Sequence, residues 1–224
     1  MSKAKQGKKP LSKKVVTLLE QLQRRHGIRE LEERFLIVCE DGKSAPNYFE
    51  AFKKHYNLSA ASVKVAGSGG RTQPVQVVEV AVRLMNASSG PESGTEPFDQ
   101  VWCVIDGDYG EKIANARAKA EANDIHLAVT TMCFEYWVLL HYEENDTATM
   151  DCYSLERALR SRGHIPDYEK GKCDFSKVVP HAELASERAK KLRAPGIRRN
   201  DLPENQNPCS EIYELVDAIL SSRT

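Results

Sequence analysis

The sequence predicts an α/β fold, in which a parallel β-sheet is covered by helices on both faces. Short apolar segments alternate with helical segments four times between residues 34 and 143. The first of them, 34–40, contains an apolar run without polar alternation, which is typical of a strand buried on both faces. Such an order predicts parallel strands joined by right-handed helical crossovers. With 224 residues, 41% of them hydrophobic, the chain can bury a core without disulfide bonds.

Each element has its own local signal. Strands are predicted at 34–40, 62–66, 100–105 and 125–129, and helices follow them at 46–56, 73–86, 111–123 and 134–143. The second of these helices carries apolar residues at helical spacing, namely Val78, Ala81, Val82 and Met85. Ser44 is the predicted N-cap of the first, and Pro46 suits its first turn.

The ends of the chain are less regular. A helix is predicted at 14–25, behind a flexible basic arm at 1–13. Beyond residue 145, short helices are predicted at 153–162 and 182–193, a proline-rich loop at 194–208, and an amphipathic helix at 212–220. We therefore divide the chain into the arm, an α/β domain at 14–145, and an extension at 146–224 that packs back on the core.

The charges balance overall but are distributed unevenly. There are 32 basic and 32 acidic residues, yet residues 1–14 carry six lysines and residues 188–200 carry six bases, with no acid in either segment. This asymmetry predicts contact with nucleic acid, and the candidate residues are Lys190, Lys191, Arg193, Arg198 and Arg199. A solvated helix face is the alternative interpretation.

Several classes of protein are disfavoured. The six cysteines match no zinc-binding spacing, so we expect a reduced chain in the cytoplasm. The lysine-rich start lacks the apolar segment of a signal peptide, and no apolar stretch reaches the length of a membrane span. A homo-oligomer is compatible with this composition.

Carboxylates follow two of the predicted strands. Glu40 comes after the first, and Asp106 and Asp108 come after the third, with Gly107 between them. Ligands of open α/β sheets bind at the carboxyl ends of the strands. Carboxylates that converge there repel each other unless a cation lies between them. Mg²⁺ or Mn²⁺ is the expected cation, because hard cations prefer oxygen ligands.

Other residues near these strand ends could contact a phosphate group. Gly69, Gly70, Arg71 and Thr72 precede a predicted helix, whose N-terminus favours anions, although a plain tight turn is an equal alternative. The segment is not a P-loop, because the required glycine register fails. Lys43 lies near the acids and is a second phosphate-binding candidate.

Two titratable residues fall in the fourth predicted helix. Glu135 could be a metal ligand or general base, or it could simply complement the helix dipole. His141 shares a face with apolar residues, and we expect it to be a core residue.

Five segments of the chain resemble the RloB-like family. They are 40–50, 69–79, 99–108, 133–142 and 207–216. That family is similar to the Toprim domains of topoisomerases, primases and OLD-family nucleases. The resemblance implies a Toprim-like fold in which Glu40, Asp106 and Asp108 hold Mg²⁺ and Glu135 supports catalysis. It further implies a nuclease that acts on RNA or DNA in anti-phage defence and abortive infection, alongside an AAA- or ABC-type ATPase partner.

The sequence departs from the family pattern at two positions. The family usually has Glu-Gly after the first strand, whereas Asp41 intervenes here, and Ala45 stands where a second acid usually precedes the proline. Asp41 takes over from that acid, or the site is altered. Two other functions stay open: a non-catalytic subunit that binds nucleic acid or a partner, and a haloacid-dehalogenase-like phosphatase with Asp106 as nucleophile. Gly110 stands where such a phosphatase usually has threonine or valine.

Overall fold

Four parallel strands form the central sheet of the protein. In the computed structural model they are β1 (Phe35–Cys39), β2 (Val63–Gly67), β3 (Gln100–Asp106) and β4 (His126–Thr130). They lie in the order β2-β1-β3-β4. The structure describes residues 33–59, 62–71, 73–89, 94, 96–148 and 151–222. The predicted arm at 1–13, the predicted helix at 14–25 and Thr72 lie outside them.

Seven α-helices occur in the described residues. They are α1 (Ser44–His55), α2 (Pro74–Ser89), α3 (Glu111–Glu121), α4 (Glu135–Leu140), α5 (Cys152–Ser161), α6 (Ala182–Arg199) and α7 (Ile212–Ser221). Single turns of 3₁₀-helix lie at Phe175–Lys177, Val179–His181 and Pro203–Asn205. None of the described helices combines the length and the apolar composition that crossing a membrane would require.

A separate hydrophobic core covers each face of the sheet. Helices α2 and α3 pack on one face, through residues such as Val78 and Ile113. Helices α1 and α4, with the C-terminal helices, build a larger and more aromatic core on the other face. All five residues of β1 are buried, as its apolar run predicts. The predicted fold class is therefore confirmed.

Helix α6 is longer than the sequence predicts. The expected loop at 194–208 begins only after Arg199, because the helix continues through Pro195. A proline removes one N–H from the helical ladder. The buried Arg193 ties the last turns of the helix to the following loop, because it donates to the Asp201 carbonyl and to Gln206 Oε1. The left-handed conformation of Asn200 then ends the helix.

Two cysteines contradict the expectation of a fully reduced chain. Cys133 and Cys152 form a disulfide, which joins the segment before α4 to the first residue of α5. Their sequence separation of 19 residues gives no local signal, and the pair meets only because α4 packs against α5. Cys39, Cys103, Cys173 and Cys209 are free.

Candidate functional site

The predicted acids meet at the carboxyl ends of the two central strands. Glu40 directly follows β1, and Asp106 is the last residue of the neighbouring β3. The Glu40 N–H donates to the Val104 carbonyl (3.0 Å), which extends the pairing of the two strands to this edge. The Asp106 N–H donates to Glu40 Oε2 (3.1 Å). The two side chains are therefore neighbours, as parallel topology predicts.

The Glu40 side chain is half-buried, and its carboxylate accepts two hydrogen bonds. Besides the Asp106 N–H, the Tyr109 hydroxyl donates to Glu40 Oε1 at 2.5 Å. Burial raises the pKa of Glu40, these two hydrogen bonds lower it, and the charges of Asp108 and Asp41 raise it again. The net shift is upward, so this carboxylate binds a proton more readily than an exposed glutamate.

The side chain of Asp106 connects the end of β3 to the start of α4. Its Oδ1 accepts a hydrogen bond from the Phe134 N–H (3.0 Å), which connects β3 to the start of α4. Burial and the charge of Glu40 hold the pKa of Asp106 well above its usual range, and Lys170 opposes the shift. Burial is the largest cause of this rise, and the neighbouring carboxylates add to it.

Gly107 is needed between the two aspartates because the backbone approaches β4 there. Its N–H donates to the Thr130 carbonyl (2.8 Å). A Cβ at this position would lie 2.7 Å from the same carbonyl oxygen, closer than such atoms pack. Glycine therefore lets the chain turn away from β3 and carry Asp108 to the exposed rim of the site.

Glu135, the first residue of α4, is fully buried beside Asp106. Its Oε1 accepts hydrogen bonds from the Tyr168 hydroxyl (2.6 Å) and from the Ser44 hydroxyl (3.1 Å). Its Oε2 has no hydrogen-bond partner among the described residues, and Lys170 Nζ lies 3.7 Å away. Its charge adds to the rise in the pKa of Asp106, so Glu135 belongs to the same site as well as to the first turn of the helix.

The donor set at this edge fits a hard divalent cation in its chemistry. It consists of carboxylate oxygens that repel each other, and one buried oxygen, Glu135 Oε2, has no hydrogen-bond partner among the described residues. In the described part of the chain, however, no three His, Cys, Asp or Glu side chains are gathered closely enough to hold a metal. Hydrogen bonds from protein donors hold Glu40 and Asp106 instead.

The comparison with protein families gives one match. The model of a family described as RloB-like protein matches residues 35–219. The chain belongs to the RloB-like family. No curated protein and no solved structure matches it. The match also spans the interval between residues 143 and 205, for which the sequence alone showed no resemblance.

That interval adds site residues to this RloB-like chain which the sequence did not predict. Tyr168 and Lys170 lie between α5 and the first 3₁₀ turn, and both reach Glu135. The segment is fixed against α1, because Asn47 Nδ2 donates to the Gly171 carbonyl (3.1 Å). The aliphatic stem of Lys43 also packs on Gly171, where a Cβ would lie 2.8 Å from Lys43 Cδ. No periodic signal marks these residues, because the segment is irregular.

The loop after β1 differs from the expected capping arrangement. Ser44 is not the N-cap, because Lys43 occupies that position and Ser44 is the first helical residue. The two Asp41 oxygens accept from the N–H groups of Ser44 (2.9 Å) and Ala45 (3.2 Å). The Ser44 hydroxyl is thereby free to face Glu135. Asp41 also adds to the raised pKa values of Glu40 and Asp106, so it contributes negative charge to this edge.

The glycine-rich turn lies beside the same edge of the sheet. The buried Ser68 donates its hydroxyl hydrogen to the Glu40 carbonyl (2.8 Å). Gly69 and Gly70 have φ angles of +70° and +82°, which only glycine adopts readily. Arg71 is exposed, and its Nη1 donates to the Ser68 carbonyl (3.4 Å). Their role in phosphate binding stays a prediction, and so does that of the exposed Lys43.

The basic run on α6 is mostly paired within the chain. Lys190 lies 2.5 Å from Asp217, and Lys191 lies 2.8 Å from Glu144. The buried Arg193 binds the following loop, and Arg199 pairs with Asp201. Arg198 is exposed. In the described part of the chain, these ion pairs do not join the run to the carboxylate edge. The run is therefore a partly neutralised helix face.

His141 is a satisfied residue of the aromatic core. Its Nδ1 lies 2.9 Å from the Trp137 carbonyl and must carry the proton, so its Nε2 accepts from the Tyr48 hydroxyl (2.9 Å). Burial lowers the pKa of His141 to about 3, which keeps the ring neutral. This geometry agrees with the predicted core role.

Proposed function

We propose that this RloB-like chain is a Mg²⁺-dependent nuclease that hydrolyses phosphodiester bonds in RNA or DNA. The observation that carries the proposal is the convergence of Glu40, Asp106 and Glu135 at the carboxyl edge of the central strands. Carboxylates cost free energy when they are buried together, and such strain is typical of catalytic sites. The family's acids thus occupy the position where open α/β sheets bind ligands.

In this proposal each carboxylate has its own task. Glu40, Asp106 and Asp108 would hold Mg²⁺ or Mn²⁺, and the ion would polarise the phosphoryl group and stabilise the leaving oxygen. Glu40 accepts the proton of the attacking water, a task for which its raised pKa suits it. As the water oxygen bonds to phosphorus, the bond to the leaving oxygen breaks. Glu135, fixed by Tyr168 and Ser44, orients the polar groups around Asp106.

The biological setting is proposed on the family resemblance alone. We infer that the nuclease acts as an effector of bacterial anti-phage defence and abortive infection in the cytoplasm, under the control of an AAA- or ABC-type ATPase partner. The lysine-rich N-terminus and the exposed Arg198 are candidates for contact with the phosphate backbone of the substrate.

A nuclease assay with matched variants tests the proposal. Wild type, Asp106→Asn and the exposed-carboxylate control Asp146→Asn are incubated with tRNA, single-stranded RNA and duplex DNA in Mg²⁺ or Mn²⁺. We expect wild type and the control to cleave at least one substrate, and Asp106→Asn to lose about 100-fold or more of the rate. Equal cleavage by Asp106→Asn contradicts the assignment. Hydrolysis of an aryl phosphate that is lost in Asp106→Asn, without nuclease activity, indicates the phosphatase alternative.

A further inference from the structure

The disulfide between Cys133 and Cys152 lies next to the carboxylate edge. Cys133 directly precedes Phe134, whose N–H donates to Asp106 Oδ1 (3.0 Å), and the buried Glu135 comes next in the chain. Cys152 is the first residue of α5. The bond therefore fixes the start of α5 to the short segment that supplies the Phe134 N–H and the Glu135 carboxylate to the site.

Helix α5 in turn supports the segment that reaches Glu135. The Ile165 N–H donates to the Leu159 carbonyl (2.9 Å), which holds the start of this segment on the end of α5. Arg160, in the last turn of α5, donates from Nη1 to the Tyr168 carbonyl (3.0 Å). From there the Tyr168 hydroxyl donates to Glu135 Oε1 (2.6 Å). These contacts form a ring that begins at the disulfide, just before α4, and ends on the first residue of α4.

The turn in front of Cys133 is strained. Met132 has a φ angle of +60°, and the Cys133 N–H donates to the Thr131 carbonyl (2.9 Å), so the chain makes a very tight turn. A residue other than glycine adopts this conformation at a cost, and the strain persists only where the surrounding structure holds it. The Thr131 N–H donates to the Cys209 carbonyl (2.7 Å) on one side, and the disulfide holds Cys133 on the other. Breaking the disulfide removes one of these restraints.

The two cysteines of the bond differ in their access to solvent. Cys133 is fully buried, whereas Cys152 is half-buried, so an external thiolate can reach the bond at Cys152. The other cysteines are free, and three of them are buried. The fourth, Cys173, is half-buried, and burial raises the pKa of its thiol to about 11. Cys173 is therefore a poor nucleophile at neutral pH and does not compete for the pair.

We propose that the Cys133–Cys152 disulfide is a redox switch that controls how firmly the segment with Tyr168 and Lys170 is held against Glu135. A dithiol supplies the electrons. Its first thiolate attacks Cys152 Sγ, the S–S bond breaks, and Cys133 Sγ takes the electron pair and a proton. The second thiolate then displaces Cys152, which also takes up a proton, and the dithiol leaves as a disulfide.

The reduced form opens at α5 more often, because the ring of contacts has lost its covalent member. Glu135 then lacks the Tyr168 hydrogen bond for more of the time, so the disulfide form is the better organised site. Persistent disulfides are rare in the cytoplasm, where they usually serve catalysis or redox sensing. That setting, and any effect on cleavage, rest on the proposed function.

Amide hydrogen exchange of the full chain tests the switch without any substrate or metal. Wild type is measured after oxidation with oxidised glutathione and after reduction with dithiothreitol, and alkylation followed by mass spectrometry counts the free thiols. We expect exchange in residues 162–172 to rise about tenfold on reduction, with a much smaller change in α2 on the opposite face of the sheet. Equal exchange in the two states overturns the inference, as does a disulfide that never forms or that resists dithiothreitol in the folded protein. An equal rise in α2 indicates a general loss of stability and also overturns it.

Two serine variants provide matched controls. Cys152→Ser replaces the half-buried member of the pair, and we expect it to exchange like reduced wild type with or without dithiothreitol. Cys173→Ser replaces a half-buried free cysteine, and we expect it to respond to dithiothreitol as wild type does. Exchange in Cys152→Ser that still depends on dithiothreitol overturns the inference.

The outcomes separate the switch from the nuclease itself. Redox-dependent exchange in residues 162–172, without cleavage by either form, supports the switch and contradicts the proposed function. Metal-dependent cleavage by wild type, together with equal exchange in the oxidised and reduced forms, supports the function and contradicts the switch.

Discussion

The carboxylate edge and the basic run on α6 are both charged regions that the sequence marks as functional, yet they differ in how their charges are matched. Lys190, Lys191 and Arg199 each have a carboxylate partner in the chain. At the edge, Glu135 Oε2 has no hydrogen-bond partner among the described residues, its ion pair with Lys170 is long at 3.7 Å, and the pKa of Asp106 lies well above its usual range. A charge with a close partner of opposite sign costs less free energy to bury, whereas a charge without such a partner can still bind a ligand. The comparison favours the edge as the reactive site.

The largest effect is expected from Glu40→Gln. The glutamine keeps one acceptor oxygen in place of the two that accept from Tyr109 and from the Asp106 N–H, and it cannot accept the proton of the attacking water. We expect the nuclease rate to fall by about 100-fold or more, because general-base catalysis contributes that much. Single-turnover cleavage measures it, with the exposed Glu111→Gln as the matched control. A rate within a few fold of wild type would show that Glu40 is not the base.

A smaller effect is expected from Gly107→Ala, which tests whether the edge depends on close backbone approach. The new Cβ would meet the Thr130 carbonyl at 2.7 Å, so β3 and β4 must separate. We expect a loss of about 1–3 kcal/mol in the free energy of unfolding. Gly42→Ala is the control, because nothing lies within 4 Å of its added Cβ, and we expect a change within about 0.5 kcal/mol. Urea denaturation of both variants measures the free energy of unfolding. It separates destabilisation by the contact with the Thr130 carbonyl from the effect of replacing a glycine in general.

The parts of the site that the sequence predicts are those fixed by topology. Glu40 and Asp106 end two apolar strands, and a parallel sheet brings such ends to one edge whatever the connecting helices do. Tyr168 and Lys170 could not be predicted in this way. Tyr168 reaches Glu135 across 33 residues of sequence from an irregular segment, where neither periodicity nor spacing specifies a contact.

Contacts with other side chains explain where the local structure differs from the sequence-based prediction. Ser44 is a good N-cap by residue type, but the helix already begins at Ser44, and the charged Asp41 accepts from the N–H groups of Ser44 and Ala45 instead. The pairing of Cys133 with Cys152 and the extension of α6 through Pro195 likewise depend on tertiary packing. Periodicity therefore predicts the elements, whereas partners far apart in sequence decide the contacts at their ends.

The core next to the site contains His141, a buried polar residue whose two ring nitrogens both have hydrogen-bond partners. Burial lowers its folded-state pKa to about 3, below the unfolded value, so the unfolded chain binds more protons between these values. The stability that neutral His141 contributes is thus present above pH 6.5 and is lost as pH falls towards 3. The loss for one group is at most about 1.4 kcal/mol per pH unit.

Urea denaturation at pH 7.5 and pH 5.5 measures this dependence. We expect His141→Gln to reduce the loss of stability between the two pH values, and the exposed control His126→Gln to leave it as in wild type. An equal loss in all three proteins would assign the pH dependence to other groups.

The smallest effect is expected from Lys191→Ala on the basic run. Lys191 is 69% exposed and already paired with Glu144, so its removal should change stability by less than about 1 kcal/mol. For the same reason we expect the Kd for single-stranded RNA to change by less than about twofold, and its salt dependence to stay constant. A salt slope lower by about one charge would mean that RNA displaces Glu144 from Lys191. That result would show that the basic run on α6 is part of the nucleic-acid interface, because Lys191 would then exchange the Glu144 carboxylate for an RNA phosphate.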